Sequence, residues 1–215
     1  MTAKRPTRRT KQQVVGEFRR AEILDAARRV FAQKGFAGGV MDEIASEAGI
    51  AKGTVYLYFR SKIEVYRALL EHDMRQLQAT TIERMEAAAD VRAKIHAFLL
   101  ARLTNADERR EFFRIMDSER TNLHISRKQY REFLEEPVKR LKSALDHGIR
   151  EGSVRPVATD AVAWLIVDAA RGSIQRRLLQ QPPQPAADEA AFLLDFLWGA
   201  LATRGGDGCA KHSAV

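Results

Sequence analysis

The stretch from Val40 to Lys62, VMDEIASEAGIAKGTVYLYFRSK, constrains the fold more than any other part of the chain. Its first half places apolar residues, Ile44 and Ala45 among them, at helical spacing, which predicts a short helix. Gly49 can take the left-handed conformation that ends a helix and turns the chain sharply. Val55 then faces back toward the first helix. The stretch therefore predicts two short helices joined by a tight turn.

The second of these helices leaves a small, cationic and hydroxyl-bearing surface on its outer side. Lys52, Gly53, Thr54 and Tyr58 face outward when Val55 faces inward. This arrangement predicts a helix-turn-helix, in which the second helix lies in the major groove of DNA.

The wording of the same segment resembles the signature of the tetracycline-repressor (TetR/AcrR) family of bacterial transcription regulators. The resemblance lies in AGIAKGTVYLYFRSK, which carries the pattern G-x-x-K-G-T-x-Y-x-Y-F-x-S-K, and in the flanking runs FAQKGF and IEVYRALLEH. Three later runs are similar to the family more weakly: DHGIREGSVRP, ATDAVAWLIVDAARG and FLLDFLWGAL. The resemblance implies a DNA-binding head and a helical body that binds a small molecule.

The family also implies roles for the matching residues of the head. Base edges are read by Lys52 and Thr54, with Gly53 allowing close backbone approach. Phosphates are contacted by Tyr56, Tyr58 and Lys62, and Leu57 can touch a thymine methyl group. Packing beneath the helix is an equally good interpretation of Tyr56.

One position departs from the family pattern at the start of the first of the two helices. The family usually has a threonine there, whereas this chain has Val40, preceded by Gly38 and Gly39. Valine offers no oxygen to cap the helix and no donor to a phosphate. Only the exposed backbone amides of the helix remain to bind a phosphate at this point.

Positive charge is concentrated near the predicted helix-turn-helix. Residues 1–62 contain 13 Lys/Arg and 6 Asp/Glu, whereas residues 63–215 contain 23 and 22. Such asymmetry is expected of a head that binds a polyanion, attached to a nearly neutral body. Residues 1–16 form a basic arm expected to be disordered, and Arg5 and Arg8 are its candidate DNA contacts. A solubilising tail is an equally good interpretation of the arm.

The sequence predicts an all-α fold, because no stretch alternates between apolar and polar residues with the two-residue period of a β-strand. We expect a flexible arm over 1–16, a helix-turn-helix domain over 17–62, a helical ligand-binding and dimerisation domain over 63–204, and a flexible tail over 205–215. The first helix should cover about 17–34. Ser61 and Glu64 form a predicted capping box that opens a helix over 63–79. Further helices are expected at 90–105, 107–121, 127–150, 158–181 and 187–204.

For the body, the resemblance implies a largely apolar ligand pocket. Its candidate wall residues are aromatic or methionine side chains: Met74, Phe98, Phe112, Phe113, Met116, Tyr130, Phe133 and Trp164. Ordinary core packing is the competing interpretation of each. Asp168 and Arg171 are candidate polar anchors, because a charged group in an apolar helix requires a ligand, a neighbouring side chain or a second subunit. Asn122, near a predicted helix end, is a further candidate anchor.

The last two predicted helices are apolar around most of their circumference. Residues 161–167 are apolar throughout, and residues 192–201 are apolar except for Asp195 and Gly199. A helix of this kind must be covered on more than one side. The sequence therefore predicts a homodimer through helices 158–181 and 187–204, with a central helix of a monomer as the alternative.

Several other classes of protein are disfavoured. The five histidines are scattered, and there is no H-x-x-x-H pair, G-x-S-x-G run or Walker pattern, so neither an enzyme nor a metal or cofactor site is expected. The single Cys209 fits a reducing cytoplasm. The most apolar run, 161–170, is interrupted by Asp168, which argues against a membrane span.

Together these features predict a cytoplasmic, dimeric repressor that a small, largely apolar ligand releases from a near-palindromic double-stranded DNA operator. The alternative is a dimeric structural DNA-binding protein that responds to no effector.

Overall fold

A computed structural model describes residues 11–110, 113, 127–179 and 183–203, with the side chains of 11–14 and 127–130 left aside. Within those ranges the chain is helical apart from turns and one isolated β-bridge between Val154 and Ala202. The helices are α1 (Lys11–Gly38), α2 (Met41–Glu47), α3 (Lys52–Tyr58), α4 (Lys62–Glu86), α5 (Val91–Glu108), α6 (Arg127–Arg150), α7 (Thr159–Leu179) and α8 (Ala186–Leu201). The predicted all-α class is confirmed.

Two compact units divide the chain, Met1–Asp73 and Met74–Val215. The division falls inside α4, which continues through it without a break in the helix. The assignment of separate roles to residues 17–62 and 63–204 stays a prediction.

In the first unit, α1 packs its apolar stripe against the short helices that follow. Ile23, Ala27 and Phe31 of α1 are buried, together with Ile44 of α2 and Val55 of α3. The α1 positions repeat at four-residue intervals, as one face of a helix requires. Because the short helices α2 and α3 have too few turns to be stable alone, this packing is what holds them in place.

Aromatic rings and an ion pair attach α4 to α1 in the same unit. The ring of Tyr66 lies 5.4 Å from that of Phe31, edge to face, and 4.5 Å from that of Phe36. Arg28 of α1 donates to the buried carboxylate of Asp73, with Nε 3.4 Å from Oδ2 and a second, shorter bond from Nη2. Burial alone would lower the pKa of Arg28, but the bonds to Asp73 and Asp25 raise it, so the guanidinium stays charged.

Helix α1 is longer than the sequence suggested. It begins at Lys11, so the predicted disordered arm is wrong for residues 11–16, where lysine and glutamine are good helix formers. At the other end Gly35 interrupts the helix with φ 68°, ψ 173°, a left-handed conformation that glycine adopts readily. One further helical turn follows Gly35 and ends at Gly38.

Helix α4 also exceeds its prediction, because it runs to Glu86 rather than ending near 79. Its start has half of the predicted capping box: the Glu64 amide donates to Ser61 Oγ at 3.3 Å. The Glu64 carboxylate, however, accepts from the backbone N–H of Arg60 at 2.7 Å rather than from Ser61. The return bond of the box therefore reaches one residue further back than predicted.

The second unit is a helical bundle in which α5 packs against α7 and α8, and α6 packs against α5 and α7. Ile95, Leu99, Leu141, Leu145 and Ile166 lie in its core with almost no exposure. The predicted α6 agrees with the structure at both ends, and α5, α7 and α8 agree to within three residues. The predicted helix at 107–121 lies mostly outside the described residues.

A charged cluster is buried where α5, α7 and α8 meet. Arg177 of α7 is 1% exposed and donates to Asp107 of α5 and, at 2.5 Å, to Glu189 of α8. Burial alone would raise the pKa of Glu189, but the hydrogen bonds from Arg177, Ser173 and Arg176 hold it below its usual value. The paired charges fix the mutual position of three helices.

Candidate DNA-binding site

The turn between α2 and α3 is held by backbone hydrogen bonds. Gly49 has φ 65°, and its N–H donates to the carbonyl of Ser46 at 3.1 Å. The N–H of Ile50 donates to the carbonyl of Ala45 at 3.0 Å. These bonds close the end of α2 and direct the chain into α3, as a helix-turn-helix requires.

Helix α3 buries one side and exposes the other. Val55 is fully buried, whereas Lys52, Tyr56 and Leu57 are exposed, Leu57 to 82%. Gly53 is also exposed, and Thr54 and Tyr58 are half-buried. Of the predicted contacts on α3, four are therefore accessible and two only partly so. Their individual roles stay predictions.

Lys52 is not an isolated cation on this face. Its Nζ lies 2.7 Å from Oδ1 of Asp42, near the start of α2. The pKa of Lys52 is raised by the hydrogen bond to Asp42 first and by its charge second. The pair gives the lysine a defined direction before DNA arrives. Asp42 was not a candidate in the sequence, although an acid in the first turn of the preceding helix is a usable signal.

Two further basic side chains bind backbone carbonyl groups at the end of α1 and at the end of α3. Lys62 donates from Nζ to the carbonyl oxygens of Phe36 at 2.8 Å and Ala37 at 3.1 Å. Arg20 of α1 donates to the carbonyl of Tyr58 at 3.3 Å, and its guanidinium lies 4.2 Å from the centroid of the Phe59 ring. The hydrogen bond from Arg20 satisfies the carbonyl of Tyr58, which lies at the C-terminus of α3 and has no partner within the helix. Arg20 was not a candidate in the sequence, because its target is 38 residues away.

The start of α2 confirms the departure seen in the sequence. Val40 is the N-cap, is extended (φ −126°, ψ 156°), and makes no side-chain capping bond. The acidic residues Asp42 and Glu43 lie in the first turn. A phosphate at this end would meet backbone amides but also two nearby carboxylates, which would repel it. The start of α2 is therefore a weaker candidate for a phosphate contact than the basic and hydroxyl side chains of α3.

Candidate ligand residues of the second unit have different surroundings. Met74, Phe98 and Phe113 are buried, and Phe133 and Trp164 are half-buried against the core. Asp168 and Arg171 bind each other at the surface, 2.9 Å apart, which is one of the explanations that the sequence allowed.

Other candidates lie outside the description. Arg5, Arg8, Phe112, Met116 and Asn122 are beyond the described residues, and Tyr130 belongs to α6 without a described side chain. No described helix is long and apolar enough to cross a membrane. Among the described side chains, no three potential metal ligands are grouped together.

The exposed face of α3 and the turn before it define a helix-turn-helix DNA-binding protein. Residues 23–69 match the model of the bacterial regulatory proteins of the TetR family. YhgD of Bacillus subtilis, named an uncharacterized HTH-type transcriptional regulator, is 24% identical over 153 residues, which cover 69% of this chain and 78% of YhgD. Residues 23–69 therefore form a TetR-family helix-turn-helix domain, and the chain is similar to transcriptional regulators that carry one.

Solved structures show that the fold extends over the body as well. The transcriptional regulator FadR from B. subtilis, in complex with stearoyl-CoA, superposes with a TM-score of 0.68 at 21% identity, over 84% of this chain and 98% of FadR. SmeT, the repressor of the Stenotrophomonas maltophilia multidrug efflux pump SmeDEF, superposes with a TM-score of 0.67 at 20% identity, over 86% of this chain and 91% of SmeT. At these identities the likeness concerns the fold alone.

Proposed function

We propose that the chain is a homodimeric repressor that binds a near-palindromic operator and leaves it when a small ligand binds the body. The single observation that carries the DNA-binding part is the outward face of α3, where Lys52, Tyr56 and Leu57 are all exposed beside a buried Val55. Lysine can donate to guanine acceptors, and leucine can contact a thymine methyl group. Such a helix fits a major groove.

The dimer is supported by apolar side chains that the single chain leaves uncovered. Leu165 of α7 is 57% exposed, and Phe192 and Phe196 of α8 are 68% and 76% exposed. The two phenylalanines are four residues apart and therefore share one side of α8. Burying them against a second copy would remove this apolar area from water. A two-fold dimer would then offer two recognition helices to half-sites about 34–36 Å apart.

The response to a ligand is the less direct part of the proposal. FadR is described with bound stearoyl-CoA and SmeT is named a repressor, and this chain shares their fold. A ligand acts only through its different affinities for the DNA-bound and free forms. Helix α4 is the physical route for such an effect, because one continuous helix begins in the first unit and ends in the second.

Fluorescence anisotropy with DNA from the region upstream of the protein's own gene tests the proposal. We expect binding that is at least about a thousandfold tighter than to scrambled DNA of equal length at the same salt. A panel of acyl-CoA thioesters, aromatic compounds and lipophilic cations is then titrated into the complex. Equal affinity for both DNAs would overturn the repressor. Specific binding that no compound weakens would favour an effector-independent DNA-binding dimer.

A further inference from the structure

A groove in the second unit, here called the α4–α6 groove, is formed by the end of α4, the first turn of α5 and the second half of α6. It is an open cavity of about 360 Å³, large enough for a small organic molecule. Its apolar residues include Met85, Val91 and Ala144, which are 3%, 5% and 8% exposed. None of the candidate ligand residues of the sequence lines it.

The walls of the α4–α6 groove carry more positive than negative charge. The acidic residues are Glu86 and Asp90, and both are already engaged. Glu86 accepts from Arg140 of α6 at 2.6 Å, and Asp90 accepts from the backbone N–H of Ala93 at 2.8 Å. The acids are therefore neutralised by a guanidinium and by the first turn of α5.

Two basic residues of the same walls are differently placed. Lys94 of α5 and Arg150 of α6 both line the groove. Within the described part of the chain neither side chain makes a hydrogen bond or a salt bridge, and the charge of Arg150 lies near enough to Asp146 to help lower the pKa of that carboxyl. The groove therefore has apolar residues at its base and two cations in its walls, a combination that suits a molecule with an apolar part and a negative charge.

We propose that the α4–α6 groove binds a small amphipathic organic anion, with its carboxylate or phosphate group at Lys94 and Arg150 and its apolar part on Met85, Val91 and Ala144. A guanidinium and an ammonium both form charge-assisted hydrogen bonds to either anion. The apolar part gains from leaving water, and the anionic group stays near the open side. Neither group alone would hold the molecule tightly.

This inference rests on the proposed function where it concerns regulation. Ile82, Met85 and Glu86 belong to α4, so a bound anion contacts the helix that begins at Lys62. The anion would also compete with Glu86 for Arg140 and weaken the bond between α4 and α6. A ligand bound in the α4–α6 groove would therefore change the contacts of α4.

Isothermal titration calorimetry on the full-length protein tests the binding site without DNA. The probes are octanoate, octyl phosphate, inorganic phosphate and octanol. We expect octanoate or octyl phosphate to bind with a dissociation constant in the micromolar range, at least about tenfold tighter than octanol or inorganic phosphate. Comparison of octanoate with octyl phosphate identifies the preferred anionic group.

Substitution locates the site. The double variant Lys94→Gln with Arg150→Gln should weaken binding of the preferred probe by about tenfold or more, because both charged partners are lost. Arg131→Gln with Lys139→Gln is the matched control, because it also removes two charges: both residues are on α6 and exposed, and neither lines the groove. Circular dichroism confirms that each variant is folded. Equal affinity of the double variant and the control, or octanol binding as tightly as octanoate, would overturn the site.

The two proposals fail separately. Absence of probe binding overturns the α4–α6 groove as a site but leaves specific operator binding intact. Probe binding that depends on Lys94 and Arg150 but does not change operator affinity supports the site and overturns its role in regulation.

Discussion

Lys62 lies with its Nζ atom 2.8 Å from the carbonyl oxygen of Phe36 and 4.6 Å from the centroid of the Phe36 ring. A second carbonyl, that of Ala37, lies 3.1 Å from the same nitrogen. The lysine at the start of α4 therefore binds the last turn of α1, just before the link to α2. The family resemblance implied a phosphate contact for this residue, and the geometry adds a structural role that precedes DNA binding.

We predict that Lys62→Gln loosens this connection more than it changes the electrostatics of DNA binding. Loss of the bonds to two carbonyls should speed hydrogen exchange of the amides around residues 36–39 by about tenfold. Operator affinity should fall, while the slope of log affinity against log salt changes by less than about 0.3. Lys34→Gln removes the same charge from an exposed ion pair with Glu43 and serves as the control. A slope reduced by about 0.9, with unchanged exchange, would instead show a direct phosphate contact.

A second prediction concerns Asp42, which holds the predicted base-reading Lys52 through an ion pair. Asp42→Asn removes a negative charge from the DNA-facing side and releases the lysine from its fixed direction. Affinity for random DNA should rise by about threefold, with little gain for the operator, so the ratio of specific to random binding falls. Anisotropy titrations on both DNAs measure this ratio.

Glu47→Gln provides the comparison for Asp42. Glu47 is an exposed acid on the same helix, bound to Arg29 at 2.5 Å and not to Lys52. Its substitution should leave the specificity ratio within about twofold of the wild type. If both variants raise random-DNA affinity equally, then only net charge matters and Asp42 does not direct Lys52.

Local patterns in the sequence were enough to predict the head. Gly49 marks a helix end through its positive φ, and Ile44 and Val55 mark the buried sides of α2 and α3. Such features depend on residues within one or two helical turns. The bonds from Lys62 to Phe36 and from Arg20 to Tyr58 cross 26 and 38 residues, and no local pattern specifies them.

The body shows a different limitation. Asp168 and Arg171 were candidate anchors because they are charges in an apolar helix, yet they pair with each other at the surface. The buried charge of that helix is Arg177, which continues the inward stripe of Ala170 and Ile174 at helical spacing. That spacing was a usable signal. The α4–α6 groove was not predictable, because the ends of α4 and α6 and the start of α5 come together only in the folded bundle.

A third prediction tests the dimer. Phe196→Glu places a charge on the exposed apolar side of α8, where burial in an interface would be costly. Sedimentation velocity at micromolar concentration should show a monomer, and operator affinity should fall by more than about a hundredfold because two half-sites are no longer bound together. Phe18→Glu is the control, since Phe18 is 65% exposed on α1, outside α7 and α8. A dimeric Phe196→Glu protein would place the interface elsewhere.

The last prediction concerns the buried cluster around Arg177. Glu189→Gln leaves the Arg177 guanidinium without one of its two carboxylates, and at neutral pH the free energy of unfolding should fall by about 3 kcal/mol. The pKa of Glu189 is lower in the folded chain than its ordinary value of 4.5, so its contribution is present above that value. The contribution is lost as the pH falls through the lower folded pKa.

The difference between wild type and Glu189→Gln should therefore shrink below about pH 4. Urea titrations followed by the fluorescence of Trp164 and Trp198, at one protein concentration, measure it. Glu135→Gln is the control, because Glu135 lies 3.7 Å from Arg131 and Lys139 on the surface of α6 and should change stability by less than about 0.5 kcal/mol. If the two variants lose equal stability, the charges of the cluster do not hold α5, α7 and α8 together. If the difference persists at low pH, the loss comes from packing rather than from the carboxylate charge.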